Sequence, residues 1–138
     1  MGIHDSMKNV SFNAVLGAGI RIRREKAGIE LGEMARSQNL SDAAWSRVES
    51  GRNSLSPPQL VLVSKELGCT VGDLFAAADR MARHLEATGN FRVLMRSHPR
   101  DKNKAATLGM VLTGAGILAG AAMALLGDSA GFTEDEEG

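Results

Sequence analysis

The chain has 138 residues with 16 basic and 16 acidic side chains, so its formal net charge is zero at pH 7. This length allows one ordinary domain with additional segments. Cys69 is the only cysteine, which excludes an intrachain disulfide, and the three histidines are too isolated to predict a metal site. No apolar run follows a basic region at the N-terminus, so no signal peptide is predicted.

Charge is distributed unevenly along the chain. Residues 16–75 carry a net charge of +1 and residues 76–104 a net charge of +4. Residues 128–138 contain five acidic and no basic side chains. This separation of charge indicates that different parts of the chain bind different partners.

The changes in charge and composition along the chain predict five regions. Residues 1–12 are expected to form a flexible N-terminus, residues 13–88 a helical domain, and residues 89–104 a basic linker. Residues 105–127 are expected to form a glycine- and alanine-rich apolar helix, and residues 128–138 a disordered acidic tail.

The helical domain begins with two predicted helices. The first runs from about Asn13 to Ala27 and ends at Gly28, a residue that favours helix termination. The second runs from about Glu30 to Gln38, with Met34 and Ala35 among its inward residues.

Three more helices are predicted from their N-terminal capping residues. Ser41 begins the third helix, which Gly51 closes, and Ser56 followed by two prolines begins the fourth. Thr70 begins the fifth, with Asp73 completing a capping box, and this helix runs to about residue 87. Residues 91–95 fit either a strand or a further helical turn, and no alternating strand pattern precedes them. The predicted fold class is therefore all-α, a compact five-helix domain.

The third helix carries the most informative motif. Its residues Trp45, Val48 and Gly51 follow Ser41 at the spacing of a short helix with one apolar face. Residues 16–75 resemble the Cro/C1-type (XRE-like) helix-turn-helix family of bacterial and phage repressors. The resemblance rests on Leu16-Gly17, Ile20-Arg21, Arg24, Gly28-Ile29, Glu33-Met34-Ala35, Ser41, Trp45 to Arg52, Leu60, Leu67-Gly68 and Val71 to Phe75.

The resemblance implies that the chain binds double-stranded DNA as a homodimer, with the third helix in the major groove. Trp45 is expected in the core. Contacts to base edges are implied for Asp42, Ala43, Ala44 and Ser46, and phosphate contacts for Ser41, Arg52 and Asn53. Arg47 is expected either to reach the DNA or to pair with an acid such as Glu49 or Glu33.

The outward residues of the third helix depart from the family pattern. Asp42, Ala43 and Ala44 stand where family members often carry arginine, glutamine or asparagine, and Leu31 stands where the second helix often begins with glutamine. Few of these side chains can make a bidentate contact to a base. Strong sequence-specific readout is therefore less well supported than the fold.

Residues 105–127 contain 23 uncharged residues, which would extend about 34 Å as a helix. This length fits one membrane span, and the basic residues before it favour a helical domain in the cytoplasm with the C-terminus outside the inner membrane. Only nine of the residues are large and apolar, so burial in a homo-oligomer of a fully cytoplasmic protein is the alternative. One helix face carries the small residues that allow close helix packing: Gly109, Thr113, Gly116, Gly120 and Ala124.

Three classes of function are considered for this sequence. The sequence favours a repressor-like transcriptional regulator that is membrane-tethered or self-associating. The alternative is a membrane-anchored helical module for protein interaction or assembly, with weak or no specific DNA readout. The sequence shows no paired carboxylates, phosphate loop or activated nucleophile, so neither an enzyme nor a cofactor is predicted.

Overall fold

The structure is a computed structural model and describes residues 7–95. Five helices and two short strands occur in this part of the chain. In chain order they are β1 (Lys8–Ser11), α1 (Phe12–Lys26), α2 (Leu31–Ser37), α3 (Asp42–Glu49), α4 (Pro57–Leu67), α5 (Val71–Ala87) and β2 (Phe91–Leu94). The five predicted helices are all present.

Side-chain caps set the beginnings of α3, α4 and α5. The Ser41 hydroxyl accepts a hydrogen bond from the Ala44 backbone N–H at 3.1 Å, and Ser56 caps α4 in the same way. At α5, Thr70 and Asp73 form a reciprocal capping box with two 3.0 Å hydrogen bonds. The hydrogen bond from the Thr70 backbone N–H lowers the pKa of the Asp73 carboxyl group. The predicted caps of these three helices are confirmed.

The strand pair differs from the predicted organisation. Residues 8–11 lie in the predicted flexible N-terminus and residues 91–94 in the predicted basic linker, where the sequence leaves a strand or a helical turn open. They pair as parallel strands with Lys8 opposite Phe91. The Glu86 carboxylate accepts a hydrogen bond from the Val93 backbone N–H at 3.1 Å. The strands are short and separated by all five helices, so neither shows a clear periodicity on its own. The five-helix prediction stands, with this strand pair added to it.

The core consists of two neighbouring clusters. The first joins the strand pair to α1 and α5, and the second surrounds Trp45 at the contacts of α1, α2, α3, α4 and α5. Trp45 has no exposed surface, which confirms its predicted core position. Met34 and Ala35 of α2 are also buried completely and belong to the same cluster as Trp45 and Val48 of α3.

The predicted apolar helix and acidic tail lie outside the described residues. The same holds for the predicted packing residues Gly109, Thr113, Gly116, Gly120 and Ala124. Among residues 7–95, no helix has both the length and the apolar character needed to cross a bilayer.

Candidate nucleic-acid interface

Helix α3 presents one polar face to solvent. Asp42, Ala43, Ser46 and Arg47 are exposed, whereas Trp45, Val48 and Glu49 point inward. Ala44 is only half-exposed, so it is less available than its neighbours. The arrangement leaves a short, mostly small and polar surface at the start of the helix.

Two glycines let the C-terminal end of α3 lie directly against α1. A Cβ on Gly17 would lie 2.5 Å from the carbonyl oxygens of both Val48 and Glu49. A Cβ on Gly51 would lie 2.5 Å from the backbone Cα and N of Ala14, and Gly51 has a φ of 84°. Backbone-to-backbone approach therefore fixes where α3 ends, and side chains larger than hydrogen do not fit there.

A buried ion pair reinforces this contact. Arg24 on α1 and Glu49 on α3 are 6% and 8% exposed, and they form a bidentate pair with distances of 2.5 and 3.1 Å. Glu49 Oε2 also accepts a hydrogen bond from the Trp45 indole N–H at 2.6 Å, and Arg24 Nη1 donates to the Ile29 carbonyl at 2.8 Å. The network links α1, the turn before α2, and α3. The hydrogen bond to Glu49 raises the pKa of the Arg24 guanidinium.

This network corrects one predicted alternative for Arg47. Glu49 was a possible partner of Arg47, but its carboxylate points inward to Arg24 and Trp45. Within residues 7–95, Arg47 is exposed and has no ion-pair partner within 4.0 Å, so Glu33 does not hold it either. Sequence reasoning missed the inward direction of Glu49. The available signal was its position four residues after Trp45, on the same helix face.

The loop after α3 folds back onto the helix end. The backbone N–H groups of Arg52 and Asn53 donate to the Arg47 carbonyl at 2.8 and 3.1 Å. The Asn13 amide donates to the Ser54 hydroxyl at 2.9 Å, which attaches the loop to α1. Ser41, Arg52 and Asn53, the predicted phosphate contacts, are all exposed at the two ends of α3.

A shallow cleft of about 290 Å³ lies beside α3. Its lining comes from α3, from the turns before and after α3, and from α4. Its lining consists of Leu40, Ala44, Val48, Arg52, Asn53, Ser54, Leu55 and Gln59. The structure therefore brings Ala44, Arg52 and Asn53 together, while Asp42, Ala43, Ser46 and Arg47 lie outside the cleft.

Arg36 is a basic residue near the start of α3 that sequence reasoning did not single out. Its Nη1 atom and the Asp42 Oδ1 atom each lie 3.5 Å from the position of a Cβ on Gly32. Arg36 is exposed, so a positive charge lies close to the acidic first residue of α3. That proximity reduces the negative electrostatic potential that Asp42 creates at the start of α3.

Residues 7–95 contain no group of three His, Cys, Asp or Glu side chains placed to hold a metal ion. The charged and polar groups on the surface of α3 and its flanking turns instead suit hydrogen bonds to bases and phosphates.

Comparisons with known proteins agree with this geometry. The model of the family described as "Helix-turn-helix domain" matches residues 15–92, more than half of the chain. The solved structure of the clp gene regulator ClgR from Corynebacterium glutamicum is similar, with a TM-score of 0.50 and 25% sequence identity. The likeness covers 74% of this chain and 90% of that chain. No curated protein matches the chain. The family match and the arrangement of α2 and α3 together show that the chain belongs to the helix-turn-helix domain family.

Proposed function

We propose that this protein is a DNA-binding, repressor-like transcriptional regulator of a bacterium or phage and has no enzymatic activity. The observation that carries the proposal is the exposed outer face of α3, held rigidly against α1 by a buried ion pair and two glycine contacts. The similar structure named as a gene regulator adds support. A rigid helix with an exposed polar face is the element that helix-turn-helix proteins insert in the major groove.

The proposed contacts follow the two ends and the outer face of α3. Asp42, Ala43 and Ser46 are proposed to meet base edges, with Ala44 contributing from its half-exposed position. Phosphate contacts are proposed for three exposed residues at the helix ends, namely Ser41, Arg52 and Asn53. Arg47 is proposed to reach the DNA, because its side chain is exposed and its potential partner Glu49 is buried with Arg24.

The proposed surface has limited capacity for discrimination. A bidentate contact to a base contributes about 1–3 kcal/mol, and Arg47 is the exposed α3 side chain best suited to one. Asp42 can accept from cytosine N4, and the alanines can touch a thymine methyl group. We therefore propose that two copies bind together, as a homodimer at a palindromic site.

Replacing Arg47 by alanine tests the proposed contact. Loss of one arginine contact is expected to weaken binding to the preferred DNA fragment about fivefold to 150-fold, equivalent to about 1–3 kcal/mol. The fragment is first selected from genomic DNA with the full-length protein, and affinities are then measured across a range of salt concentrations. A phosphate contact would also reduce the salt slope by about one unit.

The Arg83→Ala variant is the matched control. Arg83 is an exposed arginine on α5 that pairs with Asp79, so its loss removes the same charge from a different surface. Equal losses for the two variants would contradict a specific role of Arg47. Failure of the wild-type protein to select any fragment above salt-sensitive background would overturn the DNA-binding proposal.

An assembly module without specific DNA readout is the second proposed function. The observation that favours it is the poor readout chemistry of Asp42 and Ala43 at the exposed start of α3. The fragment selection separates the two functions, because an assembly module would recover no preferred sequence.

We further propose that residues 105–127 tether the protein to the inner membrane or join its copies. The support is the uncharged, small-residue-rich sequence of this segment and the basic residues before it. In both arrangements the helix-turn-helix domain lies in the cytoplasm, where DNA is accessible.

Membrane fractionation distinguishes the two roles of this segment. If it is an anchor, full-length protein is expected in the membrane fraction and a variant ending at Lys104 in the soluble fraction. Equal solubility of the two proteins would contradict the anchor and leave self-association as the proposed role. The C-terminus is proposed to lie outside only in the anchored form.

A further inference from the structure

We propose that Arg36 of α2 contacts a DNA phosphate beside the start of α3. The proposal deepens the DNA-binding function put forward above and rests on it. It adds a residue of the first motif helix to the interface, whereas the other proposed contacts lie on α3 and its flanking turns. It also names the chemical group that Arg36 recognises, a phosphodiester anion of the DNA backbone.

The side chain of Arg36 extends along α2 toward the start of α3. Its Nη1 atom lies 3.5 Å from the position of a Cβ on Gly32, one helical turn earlier. Asp42 Oδ1 and Oδ2 lie 3.5 and 3.6 Å from that same position. Because residue 32 is a glycine, the two charged groups border a space that most side chains would fill. The guanidinium therefore lies at the junction of the two motif helices.

The guanidinium of Arg36 is available to a ligand. Its side chain is exposed, and among residues 7–95 no acidic oxygen lies within 4.0 Å of its nitrogens. An arginine carries five N–H donors in a planar fork that matches two oxygens of a phosphate. Arg36 can therefore bind a phosphate without first breaking an internal ion pair.

The location of Arg36 on α2 favours a phosphate over a base edge. In helix-turn-helix complexes the second motif helix enters the major groove, and the first crosses the DNA backbone. In this chain α2 is the first motif helix and α3 the second. A long side chain of α2 beside the start of α3 therefore meets the backbone before it meets a base. Contacts of this kind fix the register of a protein on the duplex.

The charges around the start of α3 make this contact important for binding. Asp42 and Glu33 are exposed acids of the two motif helices, and residues 16–75 carry a net charge of only +1. Arg36 is the only basic residue of α2. Without it, a phosphate near Asp42 would meet an unbalanced negative charge. The side chain of Leu31, at the first position of α2, has no donor that could replace the guanidinium.

The Arg36→Ala variant of the full-length protein tests the contact. The DNA is the genomic fragment that the wild-type protein selects, and affinity is measured across a range of salt concentrations. We expect binding about tenfold weaker at low salt and a salt slope smaller by about one unit. Alanine is a good helix former and the site is exposed, so the fold is expected to be kept.

Two further variants serve as controls for Arg36→Ala. Arg36→Lys keeps the positive charge, so its salt slope is expected to match that of the wild-type protein. Arg83→Ala removes the same charge from α5, and its affinity is expected to be unchanged. Equal losses for Arg36→Ala and Arg83→Ala would contradict a local contact of Arg36.

Uncharged backbone linkages locate the phosphate. Synthetic duplexes of the selected sequence each carry one methylphosphonate in place of one phosphate. At the phosphate that Arg36 contacts, this change is expected to weaken binding of the wild-type protein about tenfold. The same duplex is expected to bind Arg36→Ala no more weakly than unmodified DNA, because the two changes remove the same interaction. Identical methylphosphonate effects on both proteins at every position would overturn the contact.

A matched pair of substitutions at Gly32 tests the same place while Arg36 is kept. A Cβ at this position makes only ordinary contacts, at 3.5 Å and beyond, so Gly32→Glu and Gly32→Gln are both expected to fold. The glutamate places a like charge beside the phosphate and can pair with Arg36 four residues later. Gly32→Glu is therefore expected to bind DNA about fivefold to tenfold more weakly than Gly32→Gln at low salt. Equal affinities of the two variants would argue decisively against a phosphate at this position.

These measurements separate the contact from the function on which it rests. If the wild-type protein selects no fragment above salt-sensitive background, the DNA-binding function and the contact are both refuted. If it selects a fragment, and Arg36→Ala binds that fragment with the wild-type affinity and salt slope, the contact alone is refuted.

Discussion

Replacing Glu49 by alanine is expected to lower the free energy of unfolding by about 3–5 kcal/mol. The substitution leaves the Arg24 guanidinium buried without its bidentate partner and removes the acceptor for the Trp45 indole N–H. An uncompensated buried charge is costly because water cannot replace the lost carboxylate. Urea unfolding of the full-length protein, followed by Trp45 fluorescence, measures the change.

The matched control for this prediction is Asp79→Ala. Asp79 pairs with Arg83 at 3.1 Å, but both side chains are largely exposed. Breaking an exposed pair is expected to cost less than about 1 kcal/mol. Similar small effects for the two variants would show that the Arg24–Glu49 pair does not hold α3 against α1.

The sequence was most informative where a short-range pattern determines the structure. Ser41 could be assigned as a cap and Trp45 as a core residue because the helix period separates them from the outward positions. Gly51 could be assigned as the end of α3 because glycine adopts the left-handed conformation found there. These predictions depend on neighbours within a few residues, and the structure confirms them.

The strand pair could not be predicted in the same way. Each strand has only four residues, and β1 contains a single buried side chain, Val10. Its hydrogen-bonding partner β2 lies beyond all five helices in the sequence. Pairing between such distant segments depends on the packing of α1 and α5, which one sequence does not specify directly. The hydrogen bond between Val93 and Glu86 is more local, since it joins residues seven positions apart.

The helical spacing was sufficient to predict that Glu49 points inward, but not to identify its partner. Helical spacing places Glu49 on the face of Trp45, which indicates burial. Nothing in the local sequence identifies Arg24, 25 residues earlier, as the group that neutralises it. Because Glu49 is buried, it does not pair with Arg47, and Arg47 stays exposed beside the proposed DNA contacts.

The position of α3 therefore depends on buried contacts. Gly17 and Gly51 bring the backbone of the helix end close to α1, and the Arg24–Glu49 pair joins the same two helices. A change at any of these places would move the whole outer face of α3. DNA affinity is expected to fall along with stability, although none of the three would touch DNA.

Gly51→Ala is expected to lower the free energy of unfolding by roughly 2–6 kcal/mol, the sum of backbone strain and overpacking. The φ of 84° is unfavourable for alanine, and the new methyl group would lie 2.5 Å from the backbone atoms of Ala14. Because those atoms belong to the backbone of α1, rotation of a side chain cannot relieve the clash. The helix end must move, so binding to a selected DNA fragment is expected to weaken as well.

Gly68→Ala separates the two causes. Gly68 has a similar φ of 75°, but no atom beyond its chain neighbours lies within 4 Å of the position that the methyl group would take. Only the strain of about 1–3 kcal/mol therefore applies there. Both variants restrict the unfolded chain equally, which removes that effect from the comparison. The difference between them in urea unfolding thus isolates the contact of α3 with α1. Equal destabilisation of the two variants would mean that α1 yields to the methyl group, and α3 would then be less rigidly held than the structure indicates.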